Sequence, residues 1–550
     1  MKILIFILIF LIPSIFSDKK YTSTIHLTNK TESSPLFGEE TFAANGKPIS
    51  RYLGIPFAEP PIGNLRFKAP EKKKKHDFHG STMWNANTPM SEDCLYLNIW
   101  TPKNQKKELL PVMVWIYGGG FYSGTSTLDV YDGGILASTE NVIVVSMNYR
   151  TSMFGFLYLN TSDAPGNMGL WDQEIALKWI QDYIHHFGGD KDKVTLFGES
   201  SGAVSVSIHM LNLYSKNLFS KAILQSGSAT SPWAFETTET ALNRAHKLYN
   251  LVGCGNSTAL DVNAREIAKC LRNTSVEDLL ANEWVSDGSF VDFPWTPVID
   301  RMIVPEIADD SFKRGIYKDI PLLVGGNQDE SIYFIIYQLG HIFHKNKFFN
   351  ASDFISNRTI WLDAVNSLLP SHISSNEAPK NAVIAHYEPK SAHPTPQEYL
   401  VALDKMMGDY HFTCSVNEMV ISHTKLRGPE KTNQTWYYHF SHRASTQTWP
   451  EWMGVLHGYE INFIFGEPLN PKFNYTEEEK HLSRRFMRNF ANFAKSGDPN
   501  WPEKLEGYWP KWPRFGEMKK YMNMTTKNGE SPIGKMLKDE ECQRWKEGWI

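Results

Sequence analysis

Five short apolar runs, each stopped abruptly by glycine or polar residues, restrict what this chain can fold into. They are VMVWIY before Gly118, VIVVSMNYR around Val144, VTLF before Gly198, AILQSG around Leu224 and PLLVGGN around Leu323. Strands covered by helices on both faces read as unbroken apolar runs rather than alternating ones. Between the second and third runs, Ile175, Trp179, Ile180, Tyr183, Ile184 and Phe187 recur at helical spacing, and Gly188 and Gly189 supply the stop. The alternation predicts an α/β fold: a central, mostly parallel sheet flanked by helices. We expect one large domain over residues 18–550, with helical insertions at about 340 to 430, because no linker, repeat or low-complexity tract interrupts it.

The third run leads into GESSGAVS, which reads strand, sharp turn, helix. Gly-x-Ser-x-Gly alone is weak evidence, but this is the context that an exposed nucleophile needs. In so tight a turn the flanking residues must be small, and the central residue, Ser200, projects its hydroxyl. Ser201 then contributes its backbone N–H at the helix start, facing a developing oxyanion. WIYGGGFYSG follows the first apolar run, and its consecutive glycines let amides approach a bound carbonyl, so Gly119 and Gly120 are assigned as the other two donors.

A serine hydroxyl also needs a base held by a carboxylate. Here MWNANTPMSEDCLYLNIW, WIYGGGFYSGT, FGESSGAVSVSIHM, ILQSGSATSPWA and HRASTQTWPEWMGVLHGYEINFIFGEPLN together resemble the cholinesterase branch of the type-B carboxylesterases, in order from about Tyr52 to Trp512. The resemblance implies an α/β-hydrolase fold with a narrow gorge leading to the serine. It also implies that Glu330 in GGNQDES is the acid and His457 in GVLHGYE the base. The order Ser, acid, His is the one expected of that fold. His185 and His186 read as surface residues, and activity is expected to fall below about pH 6 to 7 as His457 protonates.

The same resemblance implies a choline ester as substrate. A quaternary ammonium donates no hydrogen bond and is held by π-faces and diffuse negative charge, at about 0.5–2 kcal/mol per good aromatic contact. Trp84 matches the choline-binding tryptophan and Glu199 an anion beside the nucleophile. Tyr333, Phe334 and Tyr337 match the aromatic stretch along the gorge, and Tyr122 matches another wall residue. In the acyl pocket Trp233 matches one wall. The two positions that carry phenylalanine in acetyl-specific vertebrate members read Val291 and Phe293. One ring is missing, so acetyl esters are expected to be preferred and butyryl esters tolerated, unless Trp295 refills the space.

Charge is nearly balanced, at net −4, which gives no reason to expect nucleic acid or an anionic membrane as partner. The run Glu71 to Lys75 reads as a solvated loop. No His/Cys/Asp/Glu spacing suggests a metal site, and no cofactor is expected. The N-terminal MKILIFILIFLIPSIFSDKK reads as a cleaved secretory signal over residues 1–17, a signal anchor being the alternative. Sequons at Asn29, Asn160, Asn256, Asn273, Asn350, Asn357, Asn433, Asn474 and Asn523 suit a glycosylated, secreted, extracellular protein. Of the five cysteines, Cys254 with Cys270 and Cys414 with Cys542 are the expected disulfides, leaving Cys94 over.

Two departures from the family stand out. The chain between Phe67 and Trp84 is shorter than in vertebrate members, and lacks the cysteine that pairs with the one matching Cys94. It also lacks the residues of the peripheral site, of which Trp284 is a candidate remnant. The chain also stops shortly after Cys542 with no hydrophobic tail, from which a soluble monomer without a membrane anchor is expected. Two rival readings remain: a broad carboxylesterase for uncharged esters, and a non-catalytic adhesion protein on the same fold.

Overall fold

The computed structural model describes residues 21–28, 33–61, 83–103, 108–255, 264–340, 355–427, 434–504, 509–527 and 532–549. The N-terminal leader, the Glu71 to Lys75 run, most of the shortened loop before Trp84, and the sequons Asn29, Asn256, Asn350 and Asn433 lie outside the described residues.

The sheet strands are β1 (Tyr21–Thr28), β2 (Ser33–Phe42), β3 (Pro48–Pro56), β4 (Tyr96–Pro102), β5 (Leu110–Ile116), β6 (Ile143–Met147), β7 (Gly189–Glu199), β8 (Lys221–Gln225), β9 (Leu322–Asn327), β10 (Thr435–Phe440), β11 (Lys520–Met524) and β12 (Ile533–Lys535). Among the described residues they form one twelve-stranded sheet in the order β1-β2-β3-β4-β6-β5-β7-β8-β9-β10-β11-β12. From β6 through β11 every pairing is parallel, while the strands on either flank pair antiparallel.

All five apolar runs form strands of the parallel segment, and β5, β6 and β8 are buried at every position. Trp115 of β5 shows what they bury: its ring lies 4.9–5.2 Å from those of Tyr131, Phe197 and Phe465. Each fully buried side chain of this kind contributes about 1.5–3 kcal/mol of transfer free energy.

Six helices matter for the site: α1 (Met168–Tyr183), α2 (Ser201–Leu211), α3 (Ile332–Gln338), α4 (Pro396–Gly408), α5 (Cys414–Arg427) and α6 (Asp539–Lys546). The helical spacing read for α1 holds, but its apolar stripe is corrected at one residue. Ile175 is 42% exposed, while Leu170, Ala176, Leu177 and Ile180 are buried. With 3.6 residues per turn, Ile175 falls about half a turn away from that face. His185 is exposed and His186 half-buried. In the region expected to be helical, residues 341–354 lie outside the described residues, and helices recur from Arg358 to Arg427. A π-turn, Asp409–Thr413, is inserted between α4 and α5.

No described helix is long and apolar enough to cross a membrane. In the parallel segment, Ile116 lies opposite Gly198, Glu199 opposite Gln225, and Gln225 opposite Gly325. The carboxyl ends of β5, β7, β8 and β9 therefore open onto one edge, where α/β sheets place ligands.

Candidate active site

At the end of β7 the backbone bends sharply into α2. Ser200 takes φ 56° and ψ −125°, a conformation that costs a non-glycine residue about 1–3 kcal/mol and persists only where its surroundings fix it. Here they do. The Ser200 N–H donates to the Gln225 carbonyl (2.8 Å), and a side chain at Gly202 would collide with the Ile116 carbonyl oxygen. Ser201 opens α2 and is fully buried.

The glycines after β5 face this turn. A Cβ on Gly118 would stand 2.9 Å from Ser200 Cβ, and one on Gly120 would stand 2.7 Å from the Phe293 ring. Gly119 and Gly120 have φ of 115° and 58°. The structure thus gathers Gly119, Gly120, Ser200 and Ser201 at one corner of the sheet.

The loops after β9 and β10 bring in the other two expected partners. His457 Nδ1 lies 2.7 Å from Glu330 Oε2, and Glu330 Oε1 accepts from the Asn327 N–H (2.6 Å). Asp329 fastens the two loops together: its Oδ2 accepts from the Val455 N–H (2.7 Å) and its own N–H donates to the Val455 carbonyl (3.1 Å). On the far side of the ring, His457 Nε2 lies 3.0 Å from Glu199 Oε1 and makes no hydrogen bond to Ser200 in this state. Burial alone would lower the imidazole's pKa, but the charges and hydrogen bonds of Glu199 and Glu330 hold it well above its usual value.

A further carboxyl, absent from the sequence reading, sits behind this group. Glu460 is fully buried, and its oxygens accept from Gln225 Nε2 (3.0 Å) and Asn327 Nδ2 (2.6 Å). Burial, with Glu199 and Glu330 nearby, pushes it up to about 7. A charged residue inside the apolar stretch YEINFIF was the available signal, since buried acids are retained only where they are paired or used.

Trp84 meets the site at Gly458. A Cβ there would lie 3.1 Å from the Trp84 indole and 3.4 Å from Glu199 Oε1, so both close over the same glycine, next to His457. The ring of Tyr459 stands edge-on to Trp84 at 6.3 Å.

Aromatic rings then continue outward. From His457 the contacts run to Phe334 (5.2 Å), Phe293 (6.5 Å), Tyr122 (5.7 Å) and Trp284 (5.2 Å), which is 58% exposed. Tyr333 bridges Phe334 (5.4 Å) and the partly exposed Tyr337 (5.1 Å). Of the aromatic residues expected along the gorge, Tyr122, Tyr333, Phe334 and Tyr337 line this one wall.

Trp233 and Phe293, two of the residues expected to line an acyl pocket, meet edge to face at 5.7 Å. Val291 is buried and has φ 56°. Trp295 does not refill the space: its indole N–H is given to the Glu283 carbonyl (2.9 Å), and among the described residues its ring touches none of these rings. A ring not expected from the sequence joins this group: Phe412 of the π-turn contacts Trp233 (5.8 Å), Phe334 (5.4 Å, stacked) and His457 (4.8 Å). Nothing local in the sequence marks Phe412, because only the fold brings it there.

Cys254–Cys270 and Cys414–Cys542 are disulfides, and Cys94 is a free thiol that burial pushes up to about 12. Asn160, Asn273, Asn357 and Asn474 are exposed, whereas Asn523 is half-buried in β11 and accepts from Ser441 Oγ. Among the described residues no cluster of His, Cys, Asp or Glu is arranged to hold a metal ion.

The model of the Carboxylesterase family matches residues 26–545. The chain belongs to the carboxylesterase family. As such it is a carboxylic ester hydrolase, with the α/β-hydrolase architecture that the sheet order displays. Within the family it is 52% identical to Acetylcholinesterase 1 of Caenorhabditis elegans, over 95% of this chain and 88% of that protein. It is 41% identical to the acetylcholinesterase of Electrophorus electricus over 90% of this chain and 84% of that protein. With the acetylcholinesterase of Bungarus fasciatus it shares 42% identity over 84% and 77% respectively.

Proposed function

We propose that this chain is a secreted serine esterase that cleaves acetylcholine to choline and acetate, with some tolerance of larger acyl groups. The observation that carries the reading is the closure of Trp84 and Glu199 over Gly458, beside His457. An indole face and a carboxylate at one wall suit a cation that cannot donate hydrogen bonds, and an uncharged ester has little use for them. The names of the relatives support the same substrate.

In this mechanism the arriving ester draws His457 Nε2 from Glu199 toward Ser200. Nε2 takes the hydroxyl proton as Oγ attacks the carbonyl carbon, and Glu330, on Nδ1, stabilises the imidazolium. The amides of Gly119, Gly120 and Ser201 hold the oxyanion, each donor being worth about 2.7–4 kcal/mol of barrier. The C–O bond to choline breaks as its oxygen takes the proton from His457. Water, deprotonated by the same imidazole, then releases acetate and frees Ser200. The leader at residues 1–17, the two disulfides and the exposed sequons support an extracellular setting.

The test is turnover of acetylthiocholine, butyrylthiocholine and an uncharged aryl ester by the wild type, Ser200→Ala and Trp84→Ala. Ser200→Ala is expected to be inactive on all three. Trp84→Ala is expected to lose the preference for thiocholine esters while sparing the aryl ester. Equal turnover of all three by the wild type, unaltered by Trp84→Ala, would make this a broad carboxylesterase instead.

A further inference from the structure

Phe412 reaches the acyl pocket from a π-turn, an irregular element that needs outside support to hold one conformation. That support comes from the end of the chain. Asp409, the first residue of the turn, is buried, and its Oδ2 accepts from Lys538 Nζ (3.1 Å) and from the Tyr387 hydroxyl (3.0 Å). The Tyr387 oxygen in turn accepts from Trp545 Nε1 of α6 (2.9 Å). Tyr410, the second residue of the turn, packs its ring 4.7 Å from that of Trp545.

The far end of the turn is fastened as well. Cys414, which follows it, is bonded to Cys542 of α6, and Asn417 Nδ2 donates to the Leu537 carbonyl (2.7 Å). On its inner side the turn meets the pocket through the Phe412 ring and through the His411 carbonyl, which accepts from Trp233 Nε1 (2.9 Å). One short element therefore touches α6 on one side and two walls of the pocket on the other.

We propose that residues 537–546, through Lys538–Asp409 and Cys542–Cys414, set the position of Phe412 and so determine how large an acyl group the enzyme accepts. Lys538, Asp409 and Cys542 are positioning residues here, acting through Phe412. The inference rests on the acyl-pocket reading of Trp233, Phe293 and Phe412 given above. The physical reason is that close-packed pockets discriminate by fractions of an ångström, whereas a π-turn released from its outer contacts relaxes toward regular helix and rotates the ring it presents.

The experiment compares kcat/KM for butyrylthiocholine and acetylthiocholine in Lys538→Met, Cys542→Ala and Phe412→Val, each normalised to active sites titrated by a stoichiometric acylating agent. Phe412→Val removes the wall itself and is expected to raise the butyryl-to-acetyl ratio by about 10-fold or more. Lys538→Met and Cys542→Ala, which touch no substrate, are expected to raise it by about 3-fold or more with acetylthiocholine kcat nearly unchanged. Lys538→Met tests the pin alone if Cys542→Ala is not secreted. If Phe412→Val shifts the ratio but Lys538→Met does not, even with a lowered melting temperature, the C-terminal segment is only structural and the inference is overturned. A Phe412→Val enzyme with the wild-type ratio would overturn the pocket reading and the inference with it.

Discussion

Glu199 Oε1 lies 3.0 Å from His457 Nε2, so the imidazole is flanked by carboxylates at both nitrogens. A base must be neutral to act, and both neighbours favour its charged form, raising its pKa despite burial. The acid limb of kcat/KM is therefore expected above the ordinary histidine value of about 6.5, higher than the sequence alone suggested. Glu199→Gln removes one negative charge, lowers the pKa, and is expected to move this limb to lower pH. A pH profile of acetylthiocholine hydrolysis by the two enzymes checks it, and a limb that stays in place would mean that Glu330 alone governs the base.

Trp84 and Glu199 both close on the spot where a Cβ of Gly458 would stand, at 3.1 and 3.4 Å. This glycine has φ 81°, so alanine there costs about 1–2 kcal/mol in backbone strain and also drives a methyl between the indole and the carboxylate. Gly458→Ala is expected to raise KM for acetylthiocholine at least about 10-fold, the equivalent of losing one or two cation–π contacts. Its KM for a neutral aryl ester should change much less.

Gly120→Ala tests the corner where the oxyanion is expected. The new methyl would meet the Phe293 ring at 2.7 Å, and the residue has φ 58°. Relief requires the amide to turn away, so kcat is expected to fall about 100- to 1,000-fold on every ester, as when one oxyanion donor is lost. Single-turnover acylation kinetics give the measurement.

Asp329 joins the acid loop to the base loop through the Val455 backbone. Asp329→Ala leaves that buried N–H without its acceptor, a cost of about 1–3 kcal/mol, and frees the loop that carries His457. We expect kcat to drop about 10- to 100-fold with KM little changed, in line with a misplaced catalytic group. Asp329→Asn keeps an acceptor oxygen and should retain most of the activity. Comparing kcat and KM of the two variants distinguishes lost position from lost charge.

The legible parts of this molecule were local ones. Ser200 could be read from its own turn because glycines at 198 and 202 are demanded by atoms a few residues away and by one neighbouring strand. Five of the seven strands in the parallel segment were legible because burial on both faces leaves no alternation to confuse. The antiparallel strands β1 and β2 were not, since flank strands mix polar and apolar residues freely. Glu330 and His457 came only through family resemblance: their pairing spans 127 positions and is made by the fold. Phe412 and Glu460 escaped altogether, because a ring from an insertion and an acid held by Gln225 and Asn327 have no sequence neighbours that announce them.

The strand order has a consequence for how the molecule is made. Ser200 follows β7 in the middle of the chain, whereas Glu330 follows β9 and His457 follows β10, strands that must pair across the sheet before the imidazole meets its carboxylate. A chain growing from its N-terminus therefore holds the nucleophile long before it holds the base. On the proposed mechanism, nascent or truncated forms are expected to be hydrolytically silent, and esterase activity to report that the second half of the sheet has closed onto the first.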